Sequence, residues 1–336
     1  MTERVVRGAV GIVGSGVLAL GIVADWTGAA AAQGPSTPSA SSELEILQVR
    51  PDFYMIAGAG GNVAVQTGPD GTVVVDAGSA NRADDLVAAI RRITRTPIRF
   101  VINTGVEPDH VGGNVKVSQA GQTIFPPAPA RAGFTTAAPI YAHEGVLFRM
   151  SAPTGEVSPY PAEAWPVAFD ERKYIHVNRE AIEMLHQPHA HADGDSFVLF
   201  RRSDVVCAGD VLDTTAFPRI DVQRGGSIQG EIDALNRLMQ LVVPSVPFVD
   251  QDWGTLVIPG HGRLTDQIDL TEYRDMVTIM RDRIQAMLAA NMTLAQVQAA
   301  NPTQGFKARY GSASSSAANT FVESIYTSLT SQPAKQ

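Results

Sequence analysis

Cysteine is almost absent from this 336-residue sequence, which contains one, Cys207. A single cysteine forms no internal disulfide, so the fold depends on the burial of apolar side chains. Cys207 lies in the run VVCAGD, where we interpret it as a buried strand thiol, with a metal ligand as the alternative.

A basic surface is also lacking, since 26 lysines and arginines are outnumbered by 34 acidic residues. The formal net charge of −8 argues against binding to nucleic acid or to an anionic membrane.

The N-terminal apolar run is too short to cross a bilayer. It covers Gly8–Val23, fewer than the ~20 residues that a spanning helix needs. Arg4 and Arg7 precede it and the small residues Ala29–Ala32 follow it, an order typical of a secretory signal peptide. We therefore predict a signal peptide over residues 1–32 and export to the periplasm or the medium, with no membrane contact after cleavage. An uncleaved membrane anchor is the alternative.

The rest of the chain has ordinary globular composition, with 44% hydrophobic and 18% charged residues. Residues 33–43, rich in proline and serine, are predicted to be a disordered linker. Residues 44–330 are predicted to form one domain. Its β-rich runs are interrupted by a helix predicted over 81–94 and followed by a long helix over 269–291, with Asp269 as its N-cap. This order predicts a layered α/β fold with sheets inside and helices outside.

Four clusters of polar residues directly follow β-like runs. Polar residues at this place, flanked by glycine, are typical of loops that converge on a site. Histidine and carboxylate side chains bind zinc and harder divalent ions. Each cluster taken singly also has an ordinary explanation as loop or turn chemistry. The clusters are Glu107, Asp109 and His110; His189, His191, Asp193 and Asp195; Asp210; and His261.

The order of these clusters resembles the metallo-β-lactamase-fold hydrolase superfamily from Leu44 to Leu329. That family has the motif H-x-H-x-D-H after a strand, and this chain has G-V-E-P-D-H there, between Asn103-Thr104 and Val111–Asn114. The resemblance implies an α/β fold, a four-layer αββα sandwich with C-terminal helices. The blocks VVVDAG, HADGDS, CAGD and PGHG match further family motifs through Asp76, His191, Asp210 and His261.

The resemblance also implies two metal positions, of which the second is complete in this sequence. Residues matching Asp109, His110 and His261 normally hold the second ion, with Asp210 as a carboxylate bridging the two positions. A catalytic zinc site typically has three protein ligands and one open position. We therefore predict one tightly held ion at the second position.

The first metal position is incomplete. The family fills it with two histidines and the residue matching His191, but here Gly105 and Glu107 stand where those histidines are expected. Glu107 is a possible replacement ligand, so the first position is predicted to be weak or empty. His189 and His143 are further candidates for a nitrogen ligand, although an exposed or supporting role is favoured for both.

The predicted cofactor is zinc, as one or two ions. Glu107, Asp109 and Asp210 would together contribute three negative charges beside it. A shell this anionic weakens the ion as a Lewis acid and makes manganese or iron more competitive.

The leading functional hypothesis is an exported metal-dependent hydrolase. The resemblance implies that metal-activated water attacks an ester, thioester, lactone or lactam, and that Asp109 orients the water or passes on a proton. Its partner would be a small-molecule substrate. The alternative is a catalytically impaired, metal-binding pseudoenzyme or ligand-binding protein on the same fold. A redox protein with a carboxylate-rich iron site is a weaker third hypothesis.

Overall fold

The structure, a computed structural model, covers the predicted domain with gaps. It describes residues 43–124, 136–152, 157–245, 254–311 and 315–331. The predicted signal peptide and all but the last residue of the predicted linker lie outside these ranges, so both stay predictions, as does the domain boundary. All the described residues belong to one unit of the fold. Within them, no helix combines the length and apolarity needed to cross a membrane.

Twelve strands within the described residues form two sheets. The first sheet has the strand order β1-β2-β3-β4-β5-β6-β7 and the second has the order β12-β11-β10-β9-β8. Strands β4 to β7 run parallel to one another, and β11 runs parallel to β12. Parallel strands end at the same edge of a sheet, so the loops that follow them lie side by side. The strands are β1 (Glu45–Arg50), β2 (Phe53–Ala57), β3 (Val63–Gln66), β4 (Thr72–Val75), β5 (Ile98–Ile102), β6 (Ile140–His143), β7 (Val167–Phe169), β8 (Arg172–Val177), β9 (Glu180–His186), β10 (Ser196–Phe200), β11 (Val205–Asp213) and β12 (Leu256–His261).

The described residues also contain nine α-helices and three short 3-10 helices. The 3-10 helices are Ala80–Arg82, Ala162–Ala164 and Val222–Arg224. The α-helices are α1 (Ala83–Ile93), α2 (Pro108–Val111), α3 (Asn114–Gln119), α4 (Glu144–Ser151), α5 (Ile228–Leu241), α6 (Gln267–Ala289), α7 (Leu294–Ala299), α8 (Lys307–Tyr310) and α9 (Ser315–Ser331).

Apolar side chains fill three layers between the sheets and helices. Phe53 of β2 and Phe200 of β10 meet edge to face between the two sheets, with ring centroids 4.7 Å apart. On the other face of the first sheet, α1 packs through Leu86 and Ile90. On the other face of the second sheet, α5, α6 and α9 pack together. This arrangement confirms the predicted αββα sandwich with C-terminal helices.

The helices predicted over 81–94 and 269–291 are confirmed as α1 and α6, but the predicted cap of α6 is wrong. Asp266 caps it, and its Oδ1 accepts two backbone N–H groups of the first turn at 2.9 and 3.2 Å. Asp269 lies inside that turn, where its carboxylate accepts a hydrogen bond from Arg263 at 2.7 Å. Two aspartates three residues apart offer the same capping signal, and the backbone conformation at Asp266 decides between them.

Glu231 of α5 is a fully buried carboxyl group with no hydrogen-bond partner for either oxygen among the described residues. Burial raises its pKa well above 4.5, and the nearby Asp195 carboxylate adds to the increase. The folded state therefore keeps a proton that the unfolded chain releases near pH 4.5. As a result, the free energy of unfolding falls as the pH rises from there towards the folded-state pKa.

Glu231→Gln is expected to remove this pH dependence. The variant should be more stable than the wild type by roughly 1–3 kcal/mol at about pH 8, and close to it at about pH 4, because the amide does not ionise. Urea unfolding at both pH values measures the difference. Equal stability of the two proteins at the higher pH would contradict the prediction.

Candidate metal centre

Side chains from three strands and the segments after them meet at one edge of the sandwich. Strand β5 runs into residues 103–107 and then α2, which carries Asp109 and His110. Asp210 lies on β11, and His261 is the last residue of the parallel strand β12. The predicted second metal position is therefore assembled from both sheets.

The four side chains predicted for this position lie close together. His110 Nε2 is 3.1 Å from Asp210 Oδ1. His261 Nε2 is 3.4 Å from the same Asp210 oxygen and 3.3 Å from Asp109 Oδ2. His110 is buried, whereas the side chains of Asp109 and His261 are 28% and 27% exposed. The group thus has one buried side and one side open to solvent.

Asp76, directly after β4, fixes the orientation of His110. Its Oδ2 lies 2.8 Å from His110 Nδ1, and its carboxylate accepts hydrogen bonds from the Thr104 N–H and hydroxyl at 2.8 and 2.7 Å. A carboxylate on Nδ1 keeps the proton there and leaves Nε2 free to bind a metal. Asp76 therefore holds the His110 ring in the orientation that metal binding through Nε2 requires.

Two glycines that the sequence analysis missed let the loop after β2 pass directly against the centre. A Cβ on Gly61 would lie 2.7 Å from the His110 ring, and one on Gly60 would lie 2.9 Å from Asp109 Cβ. Gly60 also has a φ of +118°, which favours glycine. The run AGAGGN after a strand is the signal that could have revealed this close approach.

Opposite charges keep the carboxylates of the group ionised. Burial disfavours a charged Asp210, but His110 and His261 lower its pKa well below the usual range. Burial also disfavours a charged His110, but Asp210 and Asp76 raise its pKa well above 6.5. Hydrogen bonds from His261 to Asp109 and Asp210 raise the pKa of His261 to about 9. The carboxylates thus favour a cation at this place, whether a proton on histidine or a metal ion that displaces it.

This donor set fits a divalent metal ion. Tetrahedral zinc binds imidazole nitrogen and carboxylate oxygen at about 2.0–2.2 Å, so neighbouring ligand atoms lie roughly 3.3–3.6 Å apart. The separations of 3.1, 3.3 and 3.4 Å are close to that spacing. The donor atoms of Asp109, His110 and His261 also lie within 4.8 Å of one another. With Asp210, these residues would hold the ion, and their assignment as ligands stays a prediction.

At the predicted first position, the carboxylate of Glu107 forms an ion pair. Glu107 is 5% exposed, and its Oε1 lies 2.7 Å from Arg224 Nη1 and 4.0 Å from His191 Nε2. His191 Nδ1 lies 4.0 Å from Asp210 Oδ2. Within the described part of the chain, no cluster of three close donor atoms includes Glu107 or His191. Arg224 neutralises the Glu107 carboxylate, so Glu107 adds less negative charge to the centre than the sequence suggested, and the argument for manganese or iron is weaker.

The loop that carries His191 is fixed by its aspartates. His191 Nδ1 lies 3.6 Å from Asp195 Oδ1, and Asp195 Oδ2 accepts the Ala192 N–H at 2.7 Å. Asp195 therefore fixes the loop through a backbone hydrogen bond. Asp193 differs, because its carboxylate accepts two hydrogen bonds from Arg149, at 2.6 and 2.9 Å.

The other histidines considered as replacement ligands are engaged elsewhere. His189 has a φ of +58° and is exposed, with Nδ1 2.9 Å from Gly225 O. His143 is buried, and its Nδ1 accepts the Gly145 N–H at 3.1 Å. Its ring stacks on His186 with centroids 3.5 Å apart.

His143 also belongs to a second group of close donor atoms, with Glu144 and Asp170. Because its Nδ1 accepts a hydrogen bond, the proton of the neutral ring lies on Nε2. Neither nitrogen then offers a free lone pair, so this cluster does not suit a metal ion.

An open cleft of about 350 Å³ lies beside the centre. Apolar side chains and two arginines line it, and Phe148 is 54% exposed there. A larger cavity of about 730 Å³ lies among the inter-strand turns at the other end of the sandwich. The cleft near the centre is lined in part by Val106, Pro108, Phe148, Arg149, Tyr160 and Arg224.

Comparison with protein families identifies the chain. The profile of the metallo-beta-lactamase superfamily matches residues 57–246, which is more than half of the sequence. The chain belongs to the metallo-beta-lactamase superfamily. The matched range contains Asp109, His110, His191 and Asp210, whereas His261 lies beyond it.

Solved structures share the fold of this superfamily member at low sequence identity. The stereoselective inverting sec-alkylsulfatase Pisa1 from Pseudomonas sp. has a TM-score of 0.62 and 14% identity, covering 84% of this chain and 50% of its own. A double mutant of the same enzyme gives a TM-score of 0.63 at 14% identity, with the same coverage. A metallo-beta-lactamase from Pontibacter korlensis has a TM-score of 0.52 and 15% identity, covering 70% of this chain and 99% of its own.

The chain thus spans about half the length of the alkylsulfatase that it matches. At these identities the likeness shows the fold alone. No match is found among curated protein sequences.

Asp76→Asn tests the support behind His110 in this superfamily member. The substitution keeps the shape but removes the charge that holds the proton on His110 Nδ1. We expect a 10- to 100-fold loss of metal affinity, about the size of the effect that such supporting carboxylates have elsewhere. Zinc titration against a competing chelator measures it. Unchanged affinity would show that the histidine keeps its orientation without the charge of Asp76.

Proposed function

We propose that this superfamily member is an exported metal-dependent hydrolase that uses one strongly held divalent ion, zinc in the first instance. Its substrates would be esters, thioesters, lactones or lactams. The observation that supports this proposal is the set of donor atoms on Asp109, His110, Asp210 and His261, spaced 3.1, 3.3 and 3.4 Å apart. Asp76 behind His110 adds to that support, because it leaves Nε2 free to bind the ion.

An ion bound there would polarise a substrate carbonyl and lower the pKa of a neighbouring water molecule. Asp109 is the residue best placed to handle the proton of that water, because its side chain is 28% exposed at the open side of the group. Its hydrogen bond with His261 lowers its pKa, so the carboxylate is ionised and can accept a hydrogen bond from the water. Asp109 would therefore orient the water as well as contribute to the metal site.

The cleft beside the centre favours a small molecule with an apolar part. Val106 and Pro108 flank Glu107 in the sequence and line the cleft, where Phe148 exposes its ring. Apolar lining with a few polar groups at one end is typical of small-molecule sites. The net charge of −8 gives no support to a nucleic-acid substrate. Export is proposed from the N-terminal pattern of residues 1–32.

The test is metal analysis of the purified mature protein together with a hydrolysis panel. The panel contains esters, thioesters, lactones and lactams, and also a secondary alkyl sulfate because a structural neighbour is a sec-alkylsulfatase. We expect about one ion per chain and turnover that disappears with a chelator and returns with zinc. Manganese and iron are added in parallel to compare the metals. A bound ion without turnover on any substrate would contradict the proposal.

A second candidate function is a binding protein that keeps an ion without turnover. The pairing of Glu107 with Arg224 favours it, because a centre that relies on two ions would be incomplete here. In that case the panel gives no turnover, while small carbonyl compounds still bind in the cleft and alter the tryptophan fluorescence or the metal spectrum of a cobalt-loaded sample.

A further inference from the structure

Arg224 is held firmly by its backbone beside the His191 loop. It is the last residue of the 3-10 helix Val222–Arg224, whose cap Asp221 accepts the Arg224 N–H at 3.0 Å. Its carbonyl accepts hydrogen bonds from Arg149 Nη2 and from the Asp193 N–H, each at 3.0 Å. The position of Arg224 is therefore set by several independent contacts.

The segment that carries Arg224 also packs directly on the His191 loop. The Asp221 N–H donates to the His191 carbonyl at 2.8 Å, and the Ser227 N–H donates to the His189 carbonyl at 2.9 Å. A Cβ on Gly226 would lie 2.1 Å from the His191 carbonyl oxygen. The two loops thus approach so closely that only glycine fits between them, and Arg224 keeps a defined position relative to His191.

The guanidinium group of Arg224 pairs with one of the side chains expected to hold the first metal ion. Its Nη1 is 2.7 Å from Glu107 Oε1, and that same oxygen lies 4.0 Å from His191 Nε2. Glu107 and His191, with the bridging Asp210, are the side chains predicted from the family resemblance to hold a first ion. The positive charge that balances the buried Glu107 carboxylate is therefore already supplied by the protein.

We propose that Arg224 replaces the first metal ion of this centre with a cation tethered to the chain. The guanidinium neutralises Glu107, and its charge repels a divalent ion from the space between Glu107 and His191. The centre is then mononuclear because of two changes together, the loss of the histidines at 105 and 107 and the presence of Arg224. This inference rests on the proposed metal centre but makes a separate statement about ion number.

The test compares zinc binding in four proteins and one further control variant by equilibrium dialysis and metal analysis. They are the wild type, Arg224→Ala, the double variant Gly105→His/Glu107→His, and that double variant with Arg224→Ala added. A Cβ at Gly105 would meet only Asp195 Oδ1, at the ordinary distance of 3.5 Å, so a histidine can start there without a clash. Arg224→Ala alone leaves the buried Glu107 carboxylate without its ion-pair partner and could fail to fold. The variants with histidine at 107 have no carboxylate there, so the test does not depend on the single variant.

We expect the wild type to bind about one ion per chain even at high zinc concentration. Adding Arg224→Ala to the double variant should raise the affinity for a second ion at least about tenfold, because a like charge has been removed from its position. The matched control is Arg219→Ala in the same double variant, since Arg219 is an exposed arginine a few residues before Arg224 in the sequence. The control should change the second affinity by less than about twofold, because solvent screens an exposed charge.

Either of two results would overturn the proposal: two ions per chain in the wild type, or equal effects of Arg224→Ala and Arg219→Ala. Both are read from ion number, independently of turnover. One ion without any hydrolysis would instead reject the proposed function and leave the role of Arg224 standing. Two ions with zinc-dependent hydrolysis would reject the role of Arg224 and leave only the hydrolytic activity standing.

Discussion

Asp210→Ala is expected to lower the affinity of the centre for a divalent ion at least about 100-fold. Asp210 is the carboxylate that contacts both histidines, with Oδ1 3.1 Å from His110 Nε2 and 3.4 Å from His261 Nε2. Its removal takes away one ligand and the negative charge that favours a cation between the two rings. Isothermal titration with zinc, or competition with a chromophoric chelator, measures the change.

The control for Asp210→Ala is Asp84→Ala. Asp84 lies on α1, and its side chain is 81% exposed and paired with Lys116 at the surface. Loss of this carboxylate should leave the metal affinity within about twofold of the wild type, because exposed pairs contribute little and are screened. If Asp210→Ala behaved like Asp84→Ala, Asp210 would not be a ligand and the proposed arrangement would be wrong.

Asp109→Asn is expected to reduce kcat about 10²- to 10⁴-fold on whichever substrate the wild type hydrolyses, the range typical of a lost general base. The amide keeps an oxygen that can bind metal, so the metal content should fall much less than the rate. Rate and metal content are measured on the same samples. The carboxylate has this role because it lies on the open side of the group, 3.3 Å from His261 Nε2.

A parallel fall in rate and bound metal would contradict this division of roles. In that case Asp109 would act as a ligand alone, and the proton would pass to another group. Added zinc discriminates the two cases, because it restores a variant that has lost only its metal and leaves a variant without its base inactive.

Much of the fold was predictable because it depends on local patterns. The apolar spacing over 81–94 identified α1, and the β-rich runs followed by polar clusters identified the strands whose ends form the centre. Residues 115–170 gave little signal, since β6 has only four residues and is recognisable as a strand mainly through its pairing with β5 and β7. Pairing partners far apart in sequence leave no periodic trace in a short segment.

In the candidate centre, too, some features were predictable from the local sequence and others depended on distant parts of the chain. The motif G-V-E-P-D-H predicted that a ligand is missing at Gly105 and which residues form the second metal position. Both predictions depend only on residue type and order along the chain. The partner of Glu107 could not be inferred in this way. Arg224 lies 117 residues further along the chain, in a segment that has no strong pattern of its own.

The sequence by itself thus determined the fold family, the types of donor atoms and their order along the chain. Only the tertiary structure decided that a guanidinium faces Glu107, that His189 turns away to Gly225 and that Gly60 and Gly61 lie against the centre. The physical reason is that donor chemistry is a property of each side chain. Charge balance and close approach, in contrast, arise where loops pack together, and for Arg224 that packing is set by hydrogen bonds to Arg149 and Asp193.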